Sequence, residues 1–235
     1  MLGHPGGSGS QRCCSRLRRL VGGSQECTDV PLKGGRSGTI ARMVDDSLAV
    51  VVGAVRGLAA RDVVVVALDG FSGSGKSTLA RRLVERLGGV VVEGDDFYRV
   101  MDDAVRWDLG PSAGVDLHFD WERLRDEALV PMRCGMPASY SPYDWAAGGG
   151  LCARPVTVGP ASVIVVDGVY SARPELSALV DLAVLVSTSQ HVRDERVAHR
   201  DHGNDRWHSR WAAAEQYYFA NVRPPESFDL IVEGE

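Results

Sequence analysis

The segment Gly70-Phe-Ser-Gly-Ser-Gly-Lys-Ser has the spacing G-x-x-x-x-G-K-[ST], which is a phosphate-binding pattern. Its glycines allow backbone N–H groups to curl around a phosphate, and a helix that begins directly after them adds positive potential. Lys76 is expected to reach the β- and γ-phosphates of a nucleotide, and Ser77 to offer its hydroxyl to Mg²⁺. The predicted nucleotide-binding residues are Gly70, Ser72, Gly73, Ser74, Gly75, Lys76, Ser77 and Thr78.

The lysine of this segment stands out against the composition of the chain. The 26 Lys and Arg residues include lysine only at Lys33 and Lys76. Arginine carries a broad planar fork, whereas lysine carries a compact charge on a slender stem. Only the compact charge fits inside a closed loop beside phosphates, so a lysine at this position strengthens the prediction. The guanine-reading sequence Asn-Lys-x-Asp does not follow, which disfavours a GTPase.

An acidic run, Glu93-Gly-Asp-Asp-Phe-Tyr, comes at the end of a predicted strand. In open parallel sheets, ligands bind beyond the carboxyl ends of the strands. A carboxylate at Asp95 would therefore face the phosphate loop and is placed to accept the proton of an attacking hydroxyl. The alternative is a solvated acidic turn, which is the interpretation we favour for the nearby Asp102-Asp103.

Strands alternating with helices must position these groups. Near-continuous apolar runs predict buried strands at 62–68, 90–93, 162–167, 182–186 and 228–232. Apolar residues at helical spacing predict helices at 48–58, 78–87, 119–132, 190–200 and 206–220. This order predicts an α/β fold with a mostly parallel five-stranded sheet and right-handed crossovers.

The phosphate loop followed by Asp95-Asp-Phe-Tyr resembles the uridine kinase (uridine–cytidine kinase) family of P-loop nucleoside kinases, and the resemblance runs from about residue 62 to the C-terminus. It implies a three-layer αβα kinase fold with a small helical lid, and ATP and Mg²⁺ as cofactors. The family has Asp-Ser-Phe-Tyr, whose Asp activates the 5′-hydroxyl of the nucleoside. The resemblance therefore implies that Asp95 is the base and that Tyr98 lies at the substrate, with Asp96 where Ser is usual.

Three further segments resemble motifs of that family. His118-Phe-Asp-Trp is similar to a Phe-Asp-His segment whose Asp holds ribose hydroxyls, which implies a ribose contact for Asp120. Tyr140-Ser-Pro-Tyr-Asp-Trp is similar to a Tyr-Asp-Phe segment beside the base, which implies Tyr143 and Trp145 as base contacts. The strand ending in Asp167-Gly resembles one ending in Glu-Gly, which implies Asp167 near Mg²⁺.

The segment after residue 190 resembles the lid of that family, in which arginines contact phosphates. It contains Arg193, Arg196 and Arg200, whose i, i+3, i+7 spacing places them on one helix face. We predict catalytic contacts for Arg196 and Arg200 and a substrate contact for Arg193. A solvated charged helix is the alternative.

Several of these residues also have plain structural interpretations. Asp120 could cap the helix that follows it, and Asp167 could cap a turn. Tyr143 and Trp145 could be packing aromatics, and Trp207 and Trp211 are expected to pack the lid helix. The histidine that the family has after Tyr-Asp-Phe is missing, because Ala146-Ala-Gly-Gly-Gly follows here. The resemblance is therefore weaker for the nucleoside than for the chemistry, and pantothenate kinase and phosphoribulokinase share much of the framework.

The composition bounds the domains and partners. The net charge of the 235 residues is −5, but residues 1–42 carry +5 because seven Lys and Arg face only Glu26 and Asp29. We expect residues 1–42 to be a disordered extension and residues 43–235 to form the kinase domain. No apolar run is long enough for a membrane span, cysteine is sparse, and the body is acidic. These features predict a cytoplasmic protein without nucleic-acid or membrane partners, as a monomer or a homo-oligomer.

The sequence thus predicts an ATP-dependent kinase of a hydroxyl on a small metabolite, most plausibly the 5′-hydroxyl of a nucleoside. Kinases of pantothenate or of a sugar phosphate are the alternative acceptor classes. A nucleotide-binding regulatory protein without transfer activity is the alternative from another functional class.

Overall fold

The computed structural model describes residues 47–200 and 205–234, and side chains in these ranges except those at 200 and 205–207. The expected extension at residues 1–42 lies outside the described residues. Seven strands are described: β1 Val64–Asp69, β2 Val90–Glu93, β3 Ala138–Tyr140, β4 Val156–Val158, β5 Val163–Asp167, β6 Leu182–Ser187 and β7 Leu230–Glu233.

Eight α-helical segments are described in the same ranges: α1 Ser47–Gly57, α2 Lys76–Leu87, α3 Asp103–Asp108, α4 Pro111–Leu117, α5 Trp121–Arg123, α6 Val130–Arg133, α7 Gln190–Arg200 and α8 Asp205–Tyr217. A π-helical segment, Leu124–Leu129, joins α5 to α6, and another, Tyr218–Val222, continues α8. Short 3₁₀ turns lie at Gly94–Phe97, Pro174–Leu176 and Pro225–Ser227.

Five of the strands form one parallel sheet in the order β2-β5-β1-β6-β7. All six residues of β1 and all five of β5 are buried, as expected for central strands covered on both faces. The predicted five-stranded parallel sheet is therefore confirmed. Because the strands run in parallel, the carboxyl ends of β1, β2 and β5 lie at the same edge, where the site is built.

Side chains of β1 alternate between two apolar layers. Val64, Val66 and Leu68 pack with α1 and α2 on one face of the sheet. Val65 and Ala67 point to the other face, where the segments from Trp121 to Met132 and from Trp211 to Val222 supply the core. Helices thus cover both faces of the sheet, which confirms the three-layer arrangement.

The predicted helices and strands are all present, with shifted ends. The helix predicted from residue 119 begins at Trp121, because the carboxylate of Asp120 accepts the backbone N–H of Arg123 and caps it. The helix predicted from residue 78 begins at Lys76, directly after Gly75. The sequence analysis missed α3, α4 and the antiparallel pair β3–β4, whose segments are too short to show a clear period.

Candidate functional site

The phosphate loop, residues 70–78, joins β1 to α2 in a conformation that requires glycine. Gly73 has φ +76°, and a Cβ added there would lie 2.8 Å from the backbone oxygen of Arg193. Gly70 has φ +149°, and its added Cβ would lie 2.3 Å from the backbone oxygen of Val186. Side chains at these positions would combine backbone strain with steric overlap. The loop therefore presents its main chain, and α2 begins immediately after it.

Lys76 lies at the first position of α2 and is only 8% exposed. Its Nζ donates to the backbone oxygens of Gly70 at 2.8 Å and Phe71 at 3.0 Å. The ammonium thus lies within the curl of the loop, as the sequence predicts for a lysine that neutralises phosphate charge. Ser77 is exposed at the same end of the helix, so its hydroxyl is accessible.

Helix α7 lies directly against the phosphate loop. Nη1 of Arg196 donates to the backbone oxygen of Gly73 at 3.0 Å, and the guanidinium carbon of Arg193 lies 4.1 Å from the centre of the Phe71 ring. Two of the three predicted lid arginines are therefore beside the loop. The side chain of Arg200 lies outside the described residues.

The opposite side of the loop is held by α8, a support that the sequence analysis did not identify. The carboxylate of Glu215 accepts the backbone N–H of Ser72 at 2.9 Å and its hydroxyl at 2.5 Å. Nε1 of Trp211 donates to the same carboxylate oxygen at 2.7 Å and to Oγ of Ser72 at 2.9 Å. Burial raises the pKa of Glu215, which is 3% exposed, while these donors and the nearby Lys76 lower it. No local pattern predicts a contact across 143 residues.

A second buried carboxylate, that of Asp69 at the end of β1, fixes the base of the loop. It accepts the backbone N–H groups of Gly70, Tyr170 and Ala172 at 2.8, 2.9 and 3.1 Å, and the hydroxyl of Tyr218 at 2.8 Å. Burial raises its pKa, whereas these hydrogen bonds lower it. Tyr170 has φ +68°, a strained conformation that these contacts help to hold. The sequence analysis missed this role, because no sequence pattern distinguishes Asp69 from an ordinary residue at the end of a strand.

Four carboxylates, Glu93, Asp95, Asp96 and Asp167, form an acidic edge at the carboxyl ends of β2 and β5. Asp95 lies in the 3₁₀ turn after β2 and is exposed. The half-buried carboxylate of Asp96 interacts instead with the Tyr140 hydroxyl and with Arg123, while burial raises its pKa. The two adjacent aspartates therefore differ in environment, and Asp95 is the more exposed of the two.

Glu93 and Asp167 are register partners on the neighbouring strands β2 and β5. Burial and the charges of Asp167 and Asp95 raise the pKa of Glu93 to about 7. Oδ1 of Asp167 is buried without a hydrogen-bond partner among the described residues, as suits a group that binds a magnesium ion or its water shell. Within residues 47–200 and 205–234, no group of three or more His, Cys, Asp and Glu side chains could hold a metal by itself.

An aromatic cluster lies beside the acidic edge and consists of Tyr98, His118, Phe119, Tyr143, Tyr170 and Trp211. Tyr98 lies at its centre, because residues 97–99 pair with residues 118–120 through backbone hydrogen bonds. A small cavity, about 20 Å³ in volume, is lined by Phe119 and Tyr170 and also by Gly94, the residue before Asp95. The structure thus brings Tyr98 and Tyr143 together beside Asp95.

The remaining predicted substrate residues, Trp145 and Asp120, also have contacts that fit a structural role. Trp145 is 56% exposed, with its ring centre 4.8 Å from that of Tyr98. The Asp120 carboxylate caps α5 and lies 3.7 Å from Nη2 of Arg99. The predicted packing role of Trp211 is confirmed by its ring contacts, although it also bonds the phosphate loop. Trp207 has no described side chain.

A parallel sheet whose first strand runs into a glycine-rich loop, with a buried lysine at the start of the next helix, defines the class of P-loop nucleotide-binding proteins. Residues 65–128 match the AAA domain family. A curated uridine kinase of Deinococcus deserti is 32% identical over 143 residues, which cover 58% of this chain and 68% of that protein. The chain belongs to the uridine kinase-like family of P-loop kinases and is a small-molecule kinase.

Other similarities are more distant. The inorganic pyrophosphatase TTM2 of Arabidopsis thaliana is 27% identical over 134 residues, which is 55% of this chain but only 18% of that protein. "Structure of a Possible Uridine Kinase from Bacillus stearothermophilus" has a TM-score of 0.63 at 21% identity, over 81% of this chain and 99% of that one. A "putative fructose transport system kinase" from Silicibacter sp. TM1040 has a TM-score of 0.53 at 25% identity, over 79% and 98%. None of the helices in the described ranges is both long and apolar enough to span a membrane.

Proposed function

We propose that this kinase transfers the γ-phosphoryl group of ATP to a hydroxyl of a small metabolite. The similarity to a uridine kinase supports a nucleoside as the acceptor, and we propose that the reacting group is its 5′-hydroxyl. The observation that carries the proposal is the position of Asp95, exposed at the edge where β1 also enters the phosphate loop. A base at that edge meets the requirement that the attacking hydroxyl lie beside the phosphate it attacks.

Each group of the site has a role in this proposal. Lys76 and the loop amides hold the β- and γ-phosphates, and Asp95 orients the acceptor hydroxyl and takes its proton. Ser77 and Asp167 would hold Mg²⁺, which neutralises phosphate charge when bound. Arg196 and Arg200 stabilise the charge of the transferred group, and Arg193 assists from the same helix face. Closure of α7 over the loop excludes water that would otherwise hydrolyse ATP.

Residues around the acceptor leave a second acceptor class open. Ala146-Ala-Gly follows Tyr143-Asp-Trp where the family has a base-reading histidine. Trp145 is more than half exposed, so it does not form an enclosed wall for a base. A kinase of an acidic or phosphorylated metabolite, such as pantothenate or a sugar phosphate, is therefore the alternative. A regulatory protein that binds the nucleotide without transfer is the alternative from another class.

Two further expectations belong to this proposal. The kinase domain spans residues 43–235, so a chain that begins at Met43 should have the same activity as the full chain. We also place the enzyme in the cytoplasm, where ATP is supplied and where the sparse cysteines would stay reduced. Activity that requires residues 1–42 would contradict the assigned domain boundary.

The test is ADP release from Mg·ATP in the presence of single acceptors: uridine, cytidine, pantothenate, glycerate and ribose 5-phosphate. We expect release that depends on one acceptor class and stoichiometric phosphorylated product. Lys76→Ala serves as the control for contaminating kinases, because it removes the loop cation. ADP release that no acceptor stimulates, in a protein that binds ATP, would instead support the regulatory alternative.

A further inference from the structure

We infer that the acceptor carries a negatively charged group, a carboxylate or a phosphate, in addition to its hydroxyl, and that Arg106 of α3 binds this group. The inference rests on the proposed phosphoryl transfer and names the class of its acceptor. It favours acidic or phosphorylated alcohols over neutral nucleosides. No motif of the sequence analysis involves Arg106.

Arg106 is a buried cation at the aromatic cluster. It is 6% exposed, and its guanidinium carbon lies 4.4 Å from the centre of the Tyr98 ring and 5.8 Å from that of Tyr143. Both tyrosines are predicted substrate residues. The guanidinium is therefore placed against the rings expected to contact the acceptor, on the element that follows the Asp95 turn.

The hydrogen bonds of Arg106 leave part of the guanidinium unused. Nη2 donates to the backbone oxygen of Arg99 at 2.9 Å, and Nε lies 3.8 Å from a carboxylate oxygen of Asp103. The Asp103 side chain is 78% exposed, so water screens this pair. Nη1 is buried and has no hydrogen-bond partner among the described residues. A buried N–H of a charged group without an acceptor costs free energy, which an anionic ligand would recover.

The neighbours of Arg106 do not supply the missing negative charge. Aromatic faces attract a cation but accept no strong hydrogen bond. Burial and the charge of Arg106 lower the pKa of His118 to about 4, so this ring is neutral at neutral pH. The hydroxyl of Tyr98 interacts with Arg106 but adds no negative charge, because burial raises the pKa of this phenol to about 12. A buried guanidinium whose Nη1 has no acceptor among the described residues, and whose Asp103 partner is screened by water, is suited to a carboxylate or phosphate.

The proposed acceptor contacts two groups of the protein, Asp95 through its hydroxyl and Arg106 through its anionic group. The charges of Arg106 and Asp95 both act on the Tyr98 hydroxyl, in opposite directions. Tyr98 therefore lies near both the proposed base and the proposed anion-binding cation. We place the hydroxyl of the acceptor at Asp95 and its anionic group at Arg106, both near this ring. A neutral nucleoside could offer Nη1 only an uncharged acceptor, whereas a carboxylate or phosphate would also neutralise the guanidinium charge.

The experiment compares acceptors that differ only in the charged group. Pantothenate with pantothenol, glycerate with glycerol, and ribose 5-phosphate with ribose are each titrated into the full chain by calorimetry, alone and with Mg·ATP; uridine is the neutral nucleoside. Turnover is followed by ADP release. We expect the anionic member of at least one pair to bind about 10-fold or more tightly than its neutral partner, with weakening at high salt.

Arg106→Gln then tests the residue. We expect the KM of the preferred anion to rise about 10- to 100-fold while the KM of ATP stays within about 2-fold, and Arg106→Lys to recover part of the loss. Arg56→Gln, which removes one charge from an exposed position of α1, is the matched control. Circular dichroism and ATP binding verify that each variant is folded.

Three results separate the two proposals. Equal binding of charged and neutral members in every pair, or a best substrate that is neutral, overturns the inference even if Arg106→Gln fails to fold. An unchanged KM for the anion in folded Arg106→Gln overturns it as well. Anion binding that depends on Arg106 without any phosphoryl transfer supports the inference and contradicts the proposed function.

Discussion

The phosphate loop and the aromatic cluster are built in opposite ways. The loop is held through its main chain, because Lys76, Arg196 and Glu215 all bond backbone atoms of residues 70–73. The aromatic cluster instead consists of side-chain rings from five separate stretches of the chain. The main-chain contacts persist when loop side chains change, whereas every ring substitution alters the cluster. A ring substitution is therefore expected to alter acceptor binding more than nucleotide binding.

Trp211 connects the two regions. Its Nε1 bonds Ser72 of the phosphate loop and Glu215, while its ring lies 5.0 Å from that of His118 and 6.0 Å from that of Tyr170. An acceptor that shifts the aromatic cluster would therefore act on the loop through one side chain.

The largest expected effect separates the two aspartates of the acidic edge. Asp95→Asn should lower kcat by about 100- to 10,000-fold, because the amide cannot accept the proton of the acceptor. Asp96→Asn should keep most of the activity, because that carboxylate faces Tyr140 and Arg123. Steady-state kinetics with the preferred acceptor measures both. Equal losses in the two variants would mean that the edge acts through its total charge.

A smaller effect is expected where the loop meets α7. Gly73→Ala should weaken ATP binding by about 10-fold, because the new Cβ adds strain at φ +76° and would lie 2.8 Å from the Arg193 oxygen. Calorimetry with Mg·ATP measures the change. The control is Gly53→Ala in α1, where an added Cβ meets no atom within 4 Å. Wild-type affinity in Gly73→Ala would show that α7 is not packed on the loop.

The support from α8 should contribute less. Glu215→Ala removes the acceptor of the Ser72 N–H, so we expect the KM of ATP to rise about 5- to 10-fold. Glu215→Gln retains an oxygen at the same place and should recover part of this loss. Because Glu215 positions Ser72 without a predicted contact to the acceptor, the KM of the acceptor should change less than that of ATP. The reverse order would place Glu215 on the acceptor side.

The smallest effect concerns the pH dependence of stability. Burial and Arg106 lower the pKa of His118 from 6.5 to about 4. Between pH 6.5 and pH 4, His118 is therefore protonated in the unfolded chain but neutral in the folded chain. The free energy of unfolding should therefore fall as pH decreases from about 6.5 to about 4. His118→Phe should flatten this slope, whereas His191→Gln at an exposed position should not. Urea unfolding at several pH values measures the slopes.

The sequence was a better guide to the phosphate loop than to its surroundings for a physical reason. A phosphate loop is a local structure, so the spacing of Gly70, Gly75 and Lys76 determines most of it. Glu215 and Asp69 support it through contacts across more than 100 residues, which no local period encodes. The five sheet strands were predictable because they are continuous apolar runs in the sequence, whereas β3 and β4 have only three residues each.

The acceptor side was predictable only in part. The run Asp95-Asp-Phe-Tyr predicts Asp95 as the base through its resemblance to Asp-Ser-Phe-Tyr, but it does not show that the Asp96 carboxylate faces Tyr140 and Arg123. The sequence allows either a ribose contact or a helix cap for Asp120. Its carboxylate accepts the backbone N–H of Arg123, which shows that it caps the helix. Arg106 lies in a short helix with no apolar period, so its burial appears only when α3 packs against Tyr98.

The central claim is that the donor side, at the phosphate loop, binds ATP independently of the acceptor side, at Asp95. The most direct test compares the affinities of Lys76→Ala and Asp95→Asn for Mg·ATP, measured side by side by calorimetry. A donor side that binds independently of the base predicts an affinity within about 2-fold of wild type for Asp95→Asn and a loss of about 100-fold or more for Lys76→Ala. Similar losses in the two variants, or no heat of binding from the wild-type protein, would contradict it.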